Sequence, residues 1–365
     1  MWKEALAAIG HTDEGYWALR RRLRKLLGRA EQMEIVPYRG YGTEEQLRLQ
    51  GRVLVQRATQ AEDDLSTWQN VLAMYRRFAS EEVPGVRVSA EVAGRSGEGM
   101  TDDEGYYDIV LDAGETPFLS GWRDAQVTLP DLSREGKPLT ASGAALIPPA
   151  AADFGVISDI DDTVLQTYAT DLLKLARTTL LHSAEERLPF AGVAKFYHAL
   201  QAGPDSRQEN PIFYLSSSPW NLYDLLVDFM ALNQLPDGPL LLQDYGLDGE
   251  KVLKQGHAEH KLTRIRELFA LYRDLPFVLI GDSGEHDPEL YAQTIREFPG
   301  RVRAVYVRDV SDSERDATVT ALAAQAAVDG VDLVLVADSA AAARHAARNG
   351  LIDPAALPAI AATTA

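Results

Sequence analysis

The spacing of hydrophobic residues changes in character near residue 150. Before that point, short apolar segments with alternating or β-branched residues are separated by turn residues, which predicts antiparallel strands and a small β-sandwich. These segments are Leu47–Gln56, Val86–Val92, Tyr106–Leu111 and Trp122–Leu129. The acidic stretch Thr101–Glu104 lacks the ligand spacing of an EF-hand calcium loop, so we interpret it as a turn.

Beyond residue 150, fully apolar runs alternate with helical stretches. The runs are Gly155–Ser158, Ile212–Leu215, Leu240–Gln243, Phe277–Ile280, Val302–Val307 and Val331–Val336. The expected helices include Arg187–Gly203, Lys261–Tyr272, Ala340–Ala347 and one that starts at Ser218–Pro219. Alternation of strands and helices indicates an α/β domain with a parallel sheet and helices on both faces.

Composition divides the chain further. A helix is expected over residues 14–30, and its basic stretch Arg20–Lys25 is either a solvated face or a docking surface for anionic headgroups. Pro148–Ala152 reads as a linker, and we expect the Ala-rich end, Ala355–Ala365, to fray. The predicted organisation is an N-terminal helical segment (1–33), a β-sandwich domain (34–147), a linker (148–152), an α/β domain (153–352) and a C-terminal tail (353–365).

Bulk composition excludes several classes of function. With no cysteine among 365 residues, disulfides and thiolate chemistry are excluded. No apolar run reaches the roughly 18–20 residues that span a bilayer, and the N-terminus lacks a signal-peptide pattern, so we expect a cytoplasmic protein, with peripheral membrane contact as an alternative. A net charge of −18 argues against nucleic-acid binding, which depends on basic side chains.

Candidate catalytic residues follow the apolar runs of the α/β part, where parallel sheets form their sites. Asp159 and Asp161 are two positions apart at the end of the first run, so both carboxylates can face one ligand. Clustered carboxylates suit a hard divalent cation, and a carboxylate beside such a cation can attack phosphorus. Asp162, by contrast, is assigned to turn chemistry.

Polar residues follow the second and fourth runs as well. Ser216 ends one run, and Gly281-Asp282 follows the other, so Asp282 should emerge at the same sheet edge as Asp159. Lys261 precedes Asp282 by about twenty residues and is suited to neutralise a phosphate. Lys254 is the alternative lysine. The neighbouring polar residues Ser217, Ser283 and Glu285 are assigned to turn chemistry.

The order of these motifs resembles the haloacid dehalogenase superfamily, whose phosphatase branches carry the pattern DxDxT, here Asp159–Thr163. A closer similarity is to the phosphatidate phosphatase family typified by the fungal actin patch protein, which is akin to the lipins. Three strings carry this resemblance: VISDIDDTV (156–164), FYLSSSPWNLYDLL (213–226) and LIGDSGEHDPELY (279–291). The resemblance covers about residues 153–310 and implies a Rossmann-like haloacid dehalogenase domain.

The same resemblance implies a role for each matching residue. Asp159 would be the nucleophile that forms an aspartyl phosphate, and Asp161 the general acid and base. Mg²⁺ would lie between Asp159, Asp282 and the backbone carbonyl of Asp161. The other implied roles are phosphate binding by Ser216 and Lys261, loop positioning by Thr163 and support of the metal or the lysine by Asp287.

The leading hypothesis is therefore a magnesium-dependent phosphatidate phosphatase that acts on a phospholipid at a membrane surface. Only two helices are expected between the first two motifs, which is too little for a large cap domain, and an open site suits a bulky substrate. Leucines between Leu172 and Leu181 either pack in the core or contact lipid. The alternatives are the same chemistry on a soluble phosphomonoester or phosphoprotein, and a non-catalytic scaffold that acts through the β-domain.

Overall fold

The structure is a computed structural model that describes residues 33–55, 81–160, 192–206, 209–243, 256–310 and 313–363. The basic helix expected over residues 14–30 and the leucines between Leu172 and Leu181 lie outside these ranges. Within them, no helix is both long and apolar enough to cross a membrane.

The N-terminal half contributes nine of the strands that the structure describes. They are β1 (Met33–Pro37), β2 (Gly40–Gly42), β3 (Gln46–Val55), β4 (Glu81–Glu82), β5 (Arg87–Val92), β6 (Arg95–Met100), β7 (Tyr106–Asp112), β8 (Gly121–Arg134) and β9 (Lys137–Ile147). All four segments that the hydrophobic pattern marked as strands are confirmed. The sequence pattern did not predict the other five strands, which are the short β1, β2 and β4, the Gly-rich β6 and the long β9.

These nine strands hydrogen-bond into one sheet, in the order β1-β3-β2-β9-β8-β5-β6, with β4 and β7 also paired to β3. Most pairs are antiparallel, as in β3 with β7 and β8 with β9. Side chains alternate across β7, where Tyr107, Ile109 and Leu111 face a buried core. The antiparallel strands are thus confirmed, while the sandwich arrangement stays a prediction. The stretch Thr101–Glu104 forms the expected turn, in which Asp102 Oδ1 accepts from the amide of Glu104 (2.9 Å).

The C-terminal half forms a second sheet covered by helices. Its strands are β10 (Gly155–Asp159), β11 (Ile212–Pro219), β12 (Leu240–Gln243), β13 (Phe277–Asp282), β14 (Val302–Arg308) and β15 (Asp332–Val336). The described helices are α1 (Val193–Ala202), α2 (Tyr223–Leu232), α3 (Gly256–Leu271), α4 (Asp287–Glu297), α5 (Ser313–Val328), α6 (Ser339–Arg348) and α7 (Leu357–Ala361). The predicted α/β class is confirmed.

All six strands are parallel and lie in the order β12-β11-β10-β13-β14-β15. Numbered along the chain, this is the order 3-2-1-4-5-6 of doubly wound sheets. Alternate strand residues face opposite sides. Val156 packs with α1, α2 and α6 in one core, whereas Ile157 packs with α3, α4 and α5 in the other. Burial on both faces explains why these strands are continuous apolar runs.

Three local predictions differ from the structure. Within the described residues, helix α3 runs from Gly256 to Leu271, so Lys261 lies inside the helix rather than opening it. Gly256 and His257 are weak helix formers, so the sequence pattern did not indicate this earlier stretch. Ser218 and Pro219 belong to β11, and a short 3₁₀ helix, Trp220–Leu222, follows them before α2. The end of the chain is not frayed at α7, because Ile360 is buried in the core beside α1 and α6.

The first sheet packs on the second through the segment that links β1 and β2. The Tyr38 ring stacks on Trp220 with a centroid distance of 4.2 Å. Arg39 donates from its backbone amide to the Tyr223 hydroxyl (2.7 Å), and Tyr272 Oη donates to the carbonyl of Gly42 (3.1 Å). Since Trp220 and Tyr223 follow the end of β11, the first sheet supports the chain just beyond Ser216.

Candidate active site

Two aspartates end the neighbouring strands β10 and β13, at the point where the strand order of the sheet reverses. Asp159 ends β10 and Asp282 ends β13, and these two strands pair in parallel from Gly155↔Phe277 to Ser158↔Ile280. From β10 the chain continues to β11, which flanks β10 on one edge, whereas β13 flanks β10 on the other edge. Ligands of doubly wound sheets bind at this switch point, beyond the carboxyl ends of the strands.

Asp287 completes a group of three carboxylates. It is the first residue of α4 and fully buried, and its carboxylate approaches those of Asp159 and Asp282 so that one oxygen of each lies within 4.8 Å of the others. Its Oδ2 accepts a hydrogen bond from the backbone amide of Asp282 (3.2 Å). Gly281 permits this approach, because a Cβ at that position would lie only 2.8 Å from both Cβ and Cγ of Asp287.

Lys261 lies among these acids. Its Nζ is 2.7 Å from Asp159 Oδ1, 2.6 Å from Glu285 Oε2 and 3.1 Å from Asp287 Oδ1. The Lys261 side chain is only 3% exposed, so its charge is stabilised by these partners rather than by water. We call Asp159, Lys261, Asp282, Glu285 and Asp287 the carboxylate cluster.

Burial and the neighbouring charges change the pKa of Asp287. Burial is the main cause that raises the pKa of this carboxyl to about 7, and the charges of Asp282 and Glu285 raise it further. Lys261 acts in the opposite direction and lowers the pKa. The cluster contains four carboxyl groups and one lysine, so its oxygen ligands outnumber the single positive charge among them.

This excess of buried oxygen ligands fits a divalent cation. Carboxylate oxygens are the ligands that Mg²⁺ and Ca²⁺ prefer, and Mg²⁺ is commonly held by one or two carboxylates that leave room for substrate oxygens. The three aspartates that converge within 4.8 Å provide such a set. They come from β10, β13 and the start of α4, so they are fixed by the core of the domain.

The loop between β13 and α4 is held from both ends. Asp282 Oδ1 accepts from the amides of Gly284 (2.7 Å) and Glu285 (3.0 Å). Arg315 of α5 reaches across: its Nε donates to the carbonyl of Ser283 (2.8 Å), its Nη2 donates to the carbonyl of Glu285, and its guanidinium pairs with Glu289. Arg315 therefore fixes the backbone on which Asp282 and Glu285 depend.

Of the other predicted site residues, the structure describes only Ser216. Ser216 is fully buried in β11, one position beyond Leu215, which pairs with Asp159. The described residues do not include Asp161, Thr163 or Lys254. The structure therefore tests neither the roles predicted for the DxDxT motif nor the choice between Lys261 and Lys254 as the phosphate-binding lysine. Their assigned functions stay predictions.

Sequence reasoning missed two residues of the site. Glu285 was assigned to turn chemistry, yet its carboxylate contacts Lys261. Arg315, 33 positions beyond Asp282 on a later helix, drew no attention. A local signal for Glu285 existed, since it lies in the same short loop as Asp282 and Asp287. No local signal could have found Arg315, because its role depends on how α5 packs beside α4. Ser283 does serve as a loop residue: its Oγ accepts from the amide of Val310 (3.0 Å).

Comparisons with known proteins single out most of the second sheet, from β10 to β14, with the helices between these strands. Residues 154–309 match the family model described as the phosphatidate phosphatase APP1 catalytic domain. Phosphatidate phosphatase APP1 of Saccharomyces cerevisiae is 33% identical over 164 residues, which is 45% of this chain and 27% of that protein. An uncharacterized protein of Schizosaccharomyces pombe is 30% identical over 162 residues, which is 43% of this chain and 25% of that protein.

Among solved structures, a carbohydrate acetylesterase from Xanthomonas citri overlays on 81% of this chain and 66% of its own, with a TM-score of 0.26 and 13% sequence identity. A score that low does not indicate a shared fold. The chain spans about a quarter of the length of the curated relatives that it matches. The matched segment, 154–309, holds the whole carboxylate cluster, and its similarity to the catalytic domain of phosphatidate phosphatase APP1 confirms the resemblance that the three sequence motifs gave.

Proposed function

We propose that this chain is a magnesium-dependent phosphatidate phosphatase, which hydrolyses phosphatidate to diacylglycerol and phosphate through an aspartyl-phosphate intermediate. The observation that carries the proposal is the meeting of Asp159, Lys261, Asp282 and Asp287 at the switch point of the sheet, inside the segment that matches the APP1 catalytic domain. The whole-chain activity and its substrate are proposals, since only part of each relative is matched.

The proposed reaction has two displacements at phosphorus. In the first, a carboxylate oxygen of Asp159 bonds to phosphorus while the bond from phosphorus to the ester oxygen breaks, and the leaving alkoxide takes a proton from Asp161. In the second, water loses a proton to Asp161 and attacks the phosphorus of the aspartyl phosphate, which releases phosphate and restores Asp159. The assignment of Asp161 rests on the sequence resemblance.

Lys261 and Ser216 are proposed to hold the phosphoryl oxygens. The ammonium of Lys261 lies 2.7 Å from Asp159 Oδ1, so a phosphoryl group beside Asp159 would also be within its reach. A fixed positive charge near these oxygens stabilises the negative charge that they carry in the transition state. Ser216 does not end its strand, as the sequence suggested, because β11 continues to Pro219. It lies one position beyond Leu215, the last residue of β11 that pairs with β10, and its hydroxyl is suited to the same task.

A bound Mg²⁺ would neutralise phosphoryl charge and draw the substrate oxygens toward Asp159. Asp159, Asp282 and the backbone carbonyl of Asp161 are the proposed ligands, with Asp287 as support for the lysine or the metal. This local positive charge also resolves an apparent conflict, because a chain of net charge −18 would otherwise repel an anionic phospholipid.

The experiment is phosphate release from phosphatidate in detergent mixed micelles, measured with magnesium and with a chelator. The wild type and Asp159→Asn are compared, with Asp131→Asn as the matched control, because Asp131 pairs with Arg87 on the surface of the first sheet. We expect release by the wild type and the control in magnesium only, and none by Asp159→Asn.

Different results would change the proposed substrate and the proposed phosphate-binding lysine. Good turnover of soluble phosphomonoesters without release from phosphatidate would remove the lipid substrate and leave the chemistry in place. If the wild type released phosphate from no substrate, both the lipid substrate and the proposed chemistry would be wrong. Full activity of Lys261→Ala would contradict the role of Lys261 and move it to Lys254.

A further inference from the structure

An apolar pocket borders the carboxylate cluster on the opposite side from Lys261. Its volume is about 110 Å³, and Asp159 and Asp282 form part of its wall. The apolar lining comes from α1, α2, α6 and the segment after α2, together with β13. These lining residues are Val193, Phe196, Phe229, Leu235, Ile280 and Ala342.

The two faces of the sheet explain how charge and hydrocarbon meet here. The pocket lies on the face covered by α1, α2 and α6, whereas Lys261 and Asp287 belong to α3 and α4 on the other face. Asp159 and Asp282 stand at the ends of strands between the two. A ligand at these carboxylates would thus have charged groups on one side and apolar side chains on the other.

The size and lining of the pocket decide what it can hold. A space of about 110 Å³ exceeds the volume that one water needs, and an engineered apolar cavity of similar size, about 150 Å³, stays dry and binds benzene. The aromatic and aliphatic side chains offer few partners for water, so hydrocarbon is favoured over hydration in the apolar part of the pocket. The wall also contains the charged residues Arg308 and Asp338, which with Asp159 and Asp282 would meet the polar end of a ligand.

We propose that this apolar pocket binds the hydrocarbon part of the phosphate ester whose phosphoryl group lies at Asp159. The inference rests on the proposed function, and it adds that the protein itself, and not only a membrane, takes up part of the alkyl chain. Phosphate esters with longer chains are then better substrates even when they are dissolved as single molecules.

The first test is a series of n-alkyl monophosphates from ethyl to octyl, kept below the concentration at which they form micelles. For the wild type, kcat/KM rises with chain length once the chain reaches the pocket, by up to about fourfold for each methylene buried. Ala342→Leu narrows the pocket and abolishes this rise while turnover of ethyl phosphate is unchanged. The matched control is Ala347→Leu, on the same helix but outside the pocket.

Filling a core position can destabilise the fold, so Val193→Phe, at the start of α1, is a second narrowing variant. Both variants are used only if they unfold cooperatively at a temperature close to that of the wild type. A wild type whose kcat/KM is independent of chain length would overturn the proposal. So would narrowing variants that lower the kcat/KM of ethyl and octyl phosphate by the same factor.

Calorimetric titration with ethylphosphonate and octylphosphonate in magnesium decides the matter without turnover. Tighter binding of octylphosphonate by the wild type, lost in Ala342→Leu and kept in Ala347→Leu, supports the pocket. Equal binding of the two phosphonates overturns it. If no alkyl phosphate is hydrolysed, phosphate release from phosphatidate still decides the proposed function, and this titration still accepts or rejects the hydrocarbon pocket.

Discussion

The carboxylate cluster and the apolar pocket share Asp159 and Asp282 but are built in different ways. The cluster assembles charged side chains from α3, the β13–α4 loop and the start of α4, and each depends on contacts with the others. The pocket is a gap in the packing of α1, α2 and α6 against the sheet. The charged side chains of the cluster must therefore be positioned closely, whereas the space in the pocket results from the ordinary packing of the core.

This difference teaches how the two regions should respond to mutation. A carboxylate displaced by an ångström loses its partner and leaves a buried charge uncompensated. An apolar wall that gains or loses a methyl group changes volume but leaves the chemistry intact. Substitutions in the cluster should therefore affect catalysis for every phosphate ester, and substitutions in the pocket should discriminate between esters.

The largest expected effect comes from removing the nucleophile. Asp159→Asn keeps the shape of the side chain but cannot form the acyl phosphate, so we expect kcat to fall by about 10³-fold or more for long and short esters alike. Stopped assays of phosphate release measure it, with Asp131→Asn as the control. A variant that kept activity on short esters would break the comparison, since the cluster would then not be the general chemical site.

The sequence predicted all six strands of the second sheet because both of its faces are buried, which leaves uninterrupted apolar runs such as Phe277–Ile280. It also predicted that Asp159 and Asp282 meet, since parallel strands end at one edge. The first sheet was harder, because half-exposed strands such as β6, with two glycines in six residues, carry no clear alternation. Arg315 was beyond reach, since its partners are backbone carbonyls fixed by tertiary packing.

The next effect tests the close approach of Asp287 to β13. Gly281→Ala would place a methyl group 2.8 Å from Asp287 Cβ and Cγ, so Asp287 or the strand end must move. A shift of this kind displaces Asp282, and we expect kcat/KM to fall by about 10²-fold, which steady-state assays at saturating magnesium would measure. Gly99→Ala is the control, because its nearest contact is a flexible Ile109 side chain in the first sheet. Unchanged activity of Gly281→Ala would mean that the carboxylates of the cluster tolerate displacement, as the apolar walls of the pocket are expected to.

A smaller effect should follow from loosening the loop that carries Asp282 and Glu285. Arg315→Lys keeps the charge but cannot reach two carbonyls and Glu289 together. We expect the magnesium concentration for half-maximal activity to rise by about 10–100-fold, more than kcat falls. Arg266→Lys, whose partner Glu297 lies on the surface, is the matched control. Equal loss of kcat without a change in magnesium dependence would show that Arg315 does not position the aspartates.

The smallest effect is thermodynamic and concerns the raised pKa of Asp287. Because this pKa is about 7 in the fold and near 3.8 in an unfolded chain, folding takes up a proton between these values. The free energy of unfolding that Asp287 contributes therefore falls as pH rises through this range and is constant above it. Asp287→Asn resembles the protonated acid at every pH. In chelator, the Tm of the wild type minus that of Asp287→Asn should fall by a few degrees from about pH 5 to about pH 8. Saturating magnesium should reduce this fall, since a bound cation favours the ionised carboxylate. A difference in Tm that stayed constant with pH would show that folding does not change the titration of Asp287, and the contrast between a strained charged cluster and an ordinary apolar pocket would lose this support.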